Sequence, residues 1–142
     1  MRSRAEQIIN DFSILSSWEE KYEHLISLGN DIPVLAKVFK TNNYLIHGCQ
    51  SKVWLMCEYK DKKLYFYADS DALITKGIVA LIVKLYSGAT PKEVINEKVD
   101  FFSTIGLREH LSMTRANGLN IMLETIKKYA IKESLQKIPI PL

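Results

Sequence analysis

The residue best suited to chemistry in this sequence is Cys49, which lies in the segment His47-Gly48-Cys49-Gln50-Ser51. Glycine at position 48 has no Cβ, so the backbone before the cysteine can adopt a positive φ or let another molecule approach closely. Gln50 and Ser51 add hydrogen-bonding groups that can solvate a thiolate. The segment predicts a cysteine presented on a loop, with a small buried apolar thiol as the open alternative.

Three histidines, His24, His47 and His110, are candidates for activating this thiol. A protonated His47 would lower the pKa of a thiol two residues away, but the sequence does not place its ring beside the sulfur. His24 lies beside an apolar helical stripe and is interpreted as structural. His110 and Arg115 are distant in sequence and depend on the fold to reach the cysteine.

Motifs of other enzyme classes are missing from the sequence: it has no P-loop, dinucleotide fingerprint, His-Glu-x-x-His motif or serine-nucleophile elbow. A cysteine hydrolase would need a base, an orienting group and an oxyanion hole, and no clear constellation of these accompanies Cys49. A thiol that only exchanges sulfur needs accessibility, some thiolate and a partner that supplies activated sulfur. Sulfur exchange is the chemistry that the residues favour.

Length and composition indicate one globular domain over residues 1–142, since 47% of the residues are apolar and 25% are charged. The net charge of +3 is spread over 19 basic and 16 acidic residues without a basic block, which argues against a nucleic-acid partner. Neither a secretion signal nor an apolar run that could span a membrane is evident. The spacing of Cys49 and Cys57 fits neither a Cys-x-x-Cys motif nor a zinc knuckle, so we expect a reducing cytoplasm and no metal site.

The first part of the chain has the apolar period of helices. Residues 4–15 predict one helix, and Ser17-Trp18-Glu19-Glu20 predicts a capping box that opens a second. Gly29 is expected to end that second helix. These elements together predict a helical hairpin.

The middle of the chain changes to a period of two. Alternation from Val53 to Tyr59 and again from Leu64 to Ala68, around a tight polar turn, predicts an antiparallel hairpin. Tyr44-Leu45-Ile46 is expected to add a third strand beside it. Cys57, in mid-strand on the apolar face, is interpreted as an inert core thiol.

Helices return after the hairpin. Asp69-Ser70-Asp71 offers oxygens to cap a helix that is apolar nearly all round and must be central, and Gly77 within it predicts a close crossing. Thr90-Pro91 opens a short helix, and a long amphipathic helix runs from about Thr114 to Gln136. The predicted fold class is α+β, with a small antiparallel sheet of about three strands packed against helices in two layers.

Short motifs along nearly the whole chain resemble, in the same order, those of the SufE sulfur-acceptor proteins of iron–sulfur cluster assembly. They are strongest in Gly48-Cys49-Gln50-Ser51 followed by Val53-Trp54. The others are Trp18-Glu19-Glu20-Lys21-Tyr22, Leu28-Gly29, Asp69-Ser70-Asp71-Ala72, Lys76-Gly77, Leu85-Tyr86, Thr90-Pro91, His110-Leu111, Arg115 and Gly118-Leu119. Several motifs in one order are specific, whereas a lone Gly-Cys would carry no weight.

The resemblance implies a fold shared with iron–sulfur scaffold proteins of the IscU type and a partnership with a PLP-dependent cysteine desulfurase of the SufS type. Cys49 would take the terminal sulfur of the desulfurase persulfide, hold it as Cys49–S–SH and deliver it to a scaffold of the SufBCD type. The chain would stimulate the desulfurase without being an independent enzyme, and PLP would belong to the partner, so no cofactor of its own is expected. Family members keep the cysteine loop partly sheltered until the desulfurase docks.

The resemblance also implies loop-supporting or docking roles for the residues that match its motifs: Gly48, Gln50, Ser51, Asp71, His110 and Arg115. His47 is not fixed in the family, which argues against a base there, and Thr114 replaces a common serine while keeping the hydroxyl of a helix cap. Three questions stay open: a Suf-type or a Csd-type desulfurase, a monomer or a weak homodimer, and, in another class, a scaffold that itself binds iron.

Overall fold

The computed structural model describes residues 1–33, 35–97 and 100–136 of the chain. Its first half contains helices α1 (Arg2–Ser13) and α2 (Trp18–Asp31), a 3₁₀ turn (Lys37–Phe39), and strands β1 (Val53–Lys60) and β2 (Lys63–Ser70). Its second half contains helices α3 (Leu73–Tyr86), α4 (Pro91–Asn96) and α5 (Phe101–Thr104), a second 3₁₀ turn (Arg108–His110), and helix α6 (Met113–Gln136). The fold class is α+β, as predicted.

Strands β1 and β2 form the predicted antiparallel hairpin, with Lys60 opposite Lys63. Asp61 and Lys62 make the turn with φ values of 53° and 67°, the pair of positive values that suits the twist of a two-residue hairpin. The side chains of one face are buried, as the period of two requires: Val53, Leu55, Leu64, Phe66 and Ala68.

The prediction of a third strand is wrong. Tyr44-Leu45-Ile46 meets β1 only through an isolated bridge between Leu45 and Trp54. The chain then turns at His47-Gly48, where Gly48 has a φ of +97°, so pairing with β1 does not continue. Within the described ranges the sheet therefore has two strands.

Helix α3 is the central helix that its apolar sequence predicts. Nine of its 14 residues are buried, because α2 packs on one side of it and β2 on another. The hydrophobic core around it also takes side chains from α1, α2 and α6, among them Ile8, Phe12, Leu25, Leu119, Met122 and Ile126. This core fixes α6 relative to the hairpin.

Helices α2 and α3 cross where two glycines meet. A Cβ on Gly77 would lie 2.6 Å from Leu25 Cγ, and a Cβ on Gly29 would lie 2.9 Å from the Gly77 nitrogen. The close crossing predicted at Gly77 is confirmed. The prediction that Gly29 ends α2 is wrong, since the helix continues to Asp31 and the missing Cβ serves packing instead.

The side-chain caps of two helices differ from the predicted ones. Ser17 accepts a hydrogen bond from the Glu20 N–H over 3.2 Å, but the Glu20 carboxylate binds Ser16 and does not complete a capping box. Asp69-Ser70-Asp71 provides no side-chain cap for α3, whose N-cap residue is Ala72. Asp69 binds Lys40 and Lys76, and Asp71 binds the Lys52 N–H. Ser70 Oγ accepts from the N–H of Ala72 itself over 3.4 Å rather than from the first turn of the helix.

The other helices lie near their predicted positions. Helix α1 covers Arg2–Ser13 rather than residues 4–15, and α4 has the predicted Thr90 cap. Helix α6 begins one residue before Thr114, and the hydroxyl that accepts from the Arg115 N–H belongs to Ser112, at 3.2 Å, rather than to Thr114. None of the helices in the described ranges has the length and apolarity needed to cross a membrane.

Replacing Gly77 with alanine should destabilise the protein by about 1–3 kcal/mol, because the new methyl group would overlap Leu25 across the helix crossing. This cost exceeds the gain of about 1 kcal/mol that alanine brings to a helix interior. Urea denaturation of Gly77→Ala checks it. Asn30→Ala, at an exposed position of α2, is the control and should change stability by less than about 0.5 kcal/mol; equal stability of both variants would contradict the close crossing.

Candidate functional site

The cysteine loop, residues 47–51, is fixed to the hairpin at both ends. Before it, the Ile46 N–H donates to the Val53 carbonyl over 2.8 Å. After it, the Lys52 N–H donates to Asp71 Oδ1 over 3.0 Å, and the Lys52 carbonyl accepts from the Asp71 N–H over 3.2 Å. The Asp71 carboxylate therefore holds the end of the loop instead of capping α3.

The loop rests against α6 where the helix has a glycine. Cys49 Sγ lies 3.8 Å from the Gly118 carbonyl oxygen, to which the S–H donates, and a Cβ on Gly118 would lie 3.5 Å from the sulfur. On the loop, a Cβ on Gly48 would lie 2.9 Å from Ile121 Cδ1, and its φ of +97° favours glycine. The close approach requires glycine on the loop, at position 48, whereas a Cβ at position 118 would meet the sulfur at an ordinary contact distance.

A cavity of about 70 Å³ opens beside the thiol. One water molecule needs about 10–15 Å³, so the cavity has room for a small group attached to the sulfur. Its walls come from the cysteine loop, the first half of α3 and the first turns of α6: Cys49, Gln50, Ser51, Thr75, Ile78, Thr114, Arg115, Gly118 and Met122.

The electrostatics of the cavity keep the thiol protonated at rest. Cys49 is half-buried, and burial raises the pKa of its thiol above the ordinary value. Arg115 is exposed, and its guanidinium makes no hydrogen bond or ion pair with another side chain in the described ranges. The site thus pairs a sheltered thiol with a cationic group that is free to meet an incoming anion.

The structure brings some of the predicted site residues together and not others. Gln50, Ser51 and Arg115 share the cavity with Cys49. Gly48 and Asp71 do not line it but hold the loop, as described above. The supporting or docking roles of these residues stay predictions, although their positions are compatible with them.

Neither His47 nor His110 lines the cavity. His47 is exposed and borders a separate groove with Tyr44 and Tyr129. His110 stacks on Trp18, with ring centroids 3.7 Å apart. The cavity walls, as far as the structure describes them, therefore contain no imidazole.

Five cavity residues were not predicted as site residues from the sequence: Thr75, Ile78, Thr114, Gly118 and Met122. A signal for Met122 exists, because Thr114, Gly118 and Met122 follow one another at intervals of four and so lie on one face of a helix. Thr75 is a buried hydroxyl residue in a largely apolar helix. Neither pattern tells which loop packs on that face, so only the fold reveals the cavity.

The second cysteine lies in a different environment. Cys57 is half-buried in β1, and burial, followed by the negative charges of Glu133 and Glu58, raises the pKa of its thiol to about 12. This environment agrees with the prediction of an inert core thiol. In the part of the chain that the structure describes, no three His, Cys, Asp or Glu side chains are grouped so as to hold a metal ion.

The alkylation rate of Cys49 should report its raised pKa. In a Cys57→Ser background, iodoacetamide should modify folded Cys49 more slowly than a free cysteine at neutral pH, because less thiolate is present. The rate should keep rising above about pH 8.5, where a free thiol is half ionised. Mass spectrometry over a pH series measures it, with the urea-unfolded chain as control. A midpoint at or below that of the unfolded chain would contradict the sheltered thiol.

A bulky side chain at position 118 should expel the cysteine. Gly118→Leu places a branched group where Cys49 packs, so the loop must move and alkylation of the thiol should become faster than in the wild type. Gly118→Ala is the matched control, because its methyl group would meet the sulfur at an ordinary contact distance of 3.5 Å. Equal rates in the two variants would show that the sulfur does not pack on this helix.

Solved structures support the description of the fold. A protein from Thermus thermophilus, described as a hypothetical protein and determined in solution, superposes with a TM-score of 0.76. The superposition covers 91% of this chain and 94% of the other, at 20% sequence identity. At that identity the likeness concerns the fold alone.

Sequence comparison identifies the family. An uncharacterized SufE-like protein of Rhizobium meliloti (strain 1021) is 40% identical over 130 residues, which cover 88% of this chain and 93% of the relative. A second, of Rhizobium etli, is 38% identical over 130 residues, which cover 88% of each chain. Residues 6–130 match the family described as "SufE: Fe-S metabolism associated domain". The chain therefore belongs to the SufE family, whose domain is associated with iron–sulfur metabolism.

Proposed function

We propose that this protein is a sulfur carrier in which Cys49 accepts sulfane sulfur from a PLP-dependent cysteine desulfurase of the SufS type and delivers it to an iron–sulfur cluster scaffold of the SufBCD type. Membership of the SufE family supports a role with the iron–sulfur assembly machinery in general. The specific donor and acceptor are part of the proposal. In the cell the protein would act in the cytoplasm.

The observation that carries the proposal is the setting of Cys49. Its loop is held at both ends by backbone and carboxylate hydrogen bonds, and its sulfur lies beside a cavity with room for one more atom. A carrier needs a thiol that is presented at a fixed place and can hold a second sulfur without immediate contact with bulk solvent. A catalytic hydrolase would also need a base, which the cavity walls lack.

The proposed step is a thiol–persulfide exchange. The Cys49 thiolate attacks the outer sulfur of the donor's R–S–SH group, an S–S bond forms to Cys49, and the S–S bond within the donor breaks. The donor leaves as the thiolate R–S⁻. The proton remains on the transferred outer sulfur, so that Cys49–S–SH is produced. The sum of oxidation states does not change, and no external oxidant or reductant is required.

The raised pKa of the Cys49 thiol slows this reaction in the resting protein, because it lowers the fraction of thiolate. Docking of the donor would have to supply what the free protein lacks, namely more thiolate at Cys49. Arg115 lines the same cavity, and within the described ranges its guanidinium makes no ion pair, so a small rearrangement would place a positive charge near the thiolate and favour it. Reactivity that depends on docking would limit loss of sulfur to other acceptors.

Intact-mass measurement tests the assignment of the acceptor residue. After incubation with a SufS-type desulfurase and free cysteine, the wild type should gain the mass of one sulfur atom, and Cys49→Ser should gain none. Treatment with a reductant should remove the added sulfur, since a persulfide is reducible. Cys57→Ser is the matched control and should be loaded like the wild type, because burial and nearby negative charges raise the pKa of the Cys57 thiol and leave it little thiolate.

Three outcomes would overturn the proposal in whole or in part. Equal labelling of Cys49→Ser and the wild type would place the acceptor elsewhere. Loading of Cys49 by a Csd-type desulfurase alone would keep the chemistry and change the partner. Formation of a stoichiometric cluster on anaerobic reconstitution, seen as visible absorption, would favour an iron-binding scaffold in place of a carrier.

A further inference from the structure

The 3₁₀ turn Arg108–His110 makes side-chain contacts with both helix α2 and helix α6. On the α2 side, the His110 ring stacks on Trp18 with centroids 3.7 Å apart and planes inclined by 17°. On the α6 side, Arg108 Nη1 donates to Asn120 Oδ1 over 2.6 Å. One short turn therefore contacts the first residue of α2 and the second turn of α6.

The stack is held in place by further contacts. The Tyr22 hydroxyl donates to the His110 carbonyl over 2.7 Å, and His110 Nδ1 lies 3.1 Å from the Gly106 carbonyl oxygen. Gly106 has a φ of +78°, and a Cβ there would lie 3.2 Å from the Trp18 ring. Lys21 Nζ also lies 4.6 Å from the centroid of that ring. The side chain of Trp18 is thus fixed by several neighbours.

The cavity of Cys49 begins immediately after this turn. Ser112, two residues beyond His110, caps α6 by accepting from the Arg115 N–H over 3.2 Å. Arg115 and Gly118, in the first two turns of the helix, line the cavity around the thiol. A displacement of the turn would consequently shift the helix start that covers Cys49.

We propose that Trp18 and His110 are positioning residues that hold the first turns of α6 over Cys49 and so limit access to its thiol. Neither residue touches the sulfur. Their effect on sulfur loading rests on the proposed function, whereas their effect on access to the thiol does not. Removing the His110 ring should allow the start of α6 to open more often, because an aromatic stacking pair no longer opposes that local opening.

Alkylation of Cys49 under native conditions tests the proposal, in a Cys57→Ser background. His110→Ala should speed modification by iodoacetamide about two- to tenfold, the factor that one aromatic pair contributes to an opening equilibrium. His110→Phe keeps a ring against Trp18 and should restore the rate of the parent protein. Asn120→Ala, which releases the α6 side of the turn, should change the rate in the same direction as His110→Ala.

A global loss of stability is distinguished by a core variant. Ile8→Val weakens the core at α1, far along the chain from the turn, and should leave the alkylation rate unchanged. A parent-like rate in His110→Ala would overturn the proposal, and so would an equal acceleration in Ile8→Val. If His110→Phe were as fast as His110→Ala, stacking would not be the cause.

Sulfur loading of the same variants separates this inference from the proposed function. If no variant and not even the wild type accepts sulfur while His110→Ala still accelerates alkylation, the proposed function fails and the positioning role stands. If the wild type accepts sulfur and the alkylation rate does not respond to His110→Ala, only the positioning role fails.

Discussion

The contact between Cys49 and the backbone of Gly118 is the constraint on which the site depends. The sulfur reaches the helix because a small residue at position 118 leaves room for it, and the loop backbone follows because position 48 is a glycine with a φ of +97°. Packing against the helix leaves the thiol half-buried, burial raises its pKa, and a cavity lies at its side. The rest of the fold fixes the two segments that make this contact: the hairpin positions the cysteine loop, and the hydrophobic core positions α6.

Shelter and reactivity oppose each other at such a site. A thiol that is half-buried and protonated is protected from solvent, but it is a poor nucleophile until more thiolate is formed. Among the described residues, the cavity walls include the Thr114 hydroxyl and the Arg115 guanidinium, which makes no ion pair there, and no histidine, aspartate or glutamate. The proposed exchange with a sulfur that arrives already activated would need only more thiolate at Cys49, which the donor would have to favour.

The sequence predicted features that depend on local pattern and on motif. Glycine next to Cys49 predicts the loop, alternation of apolar residues predicts the hairpin, and apolar periodicity predicts the central helix. Each of these signals lies within a short stretch of sequence. The contacts of Asp71 and Gly29 did not follow from local pattern, because each involves a partner far away in the sequence; for Asp71, only the family resemblance indicated a supporting role. A carboxylate before a helix suggests a helix cap, and only the fold shows that the Asp71 carboxylate accepts from the Lys52 N–H instead.

The most direct test of a sulfur-carrier role is the turnover of a PLP-dependent cysteine desulfurase measured with and without this protein. Release of alanine from cysteine should rise when the wild type is added, because Cys49 removes the sulfur that otherwise occupies the desulfurase, and Cys49→Ser should give no such rise. Stimulation by Cys49→Ser equal to that of the wild type, with both proteins folded, would contradict the account.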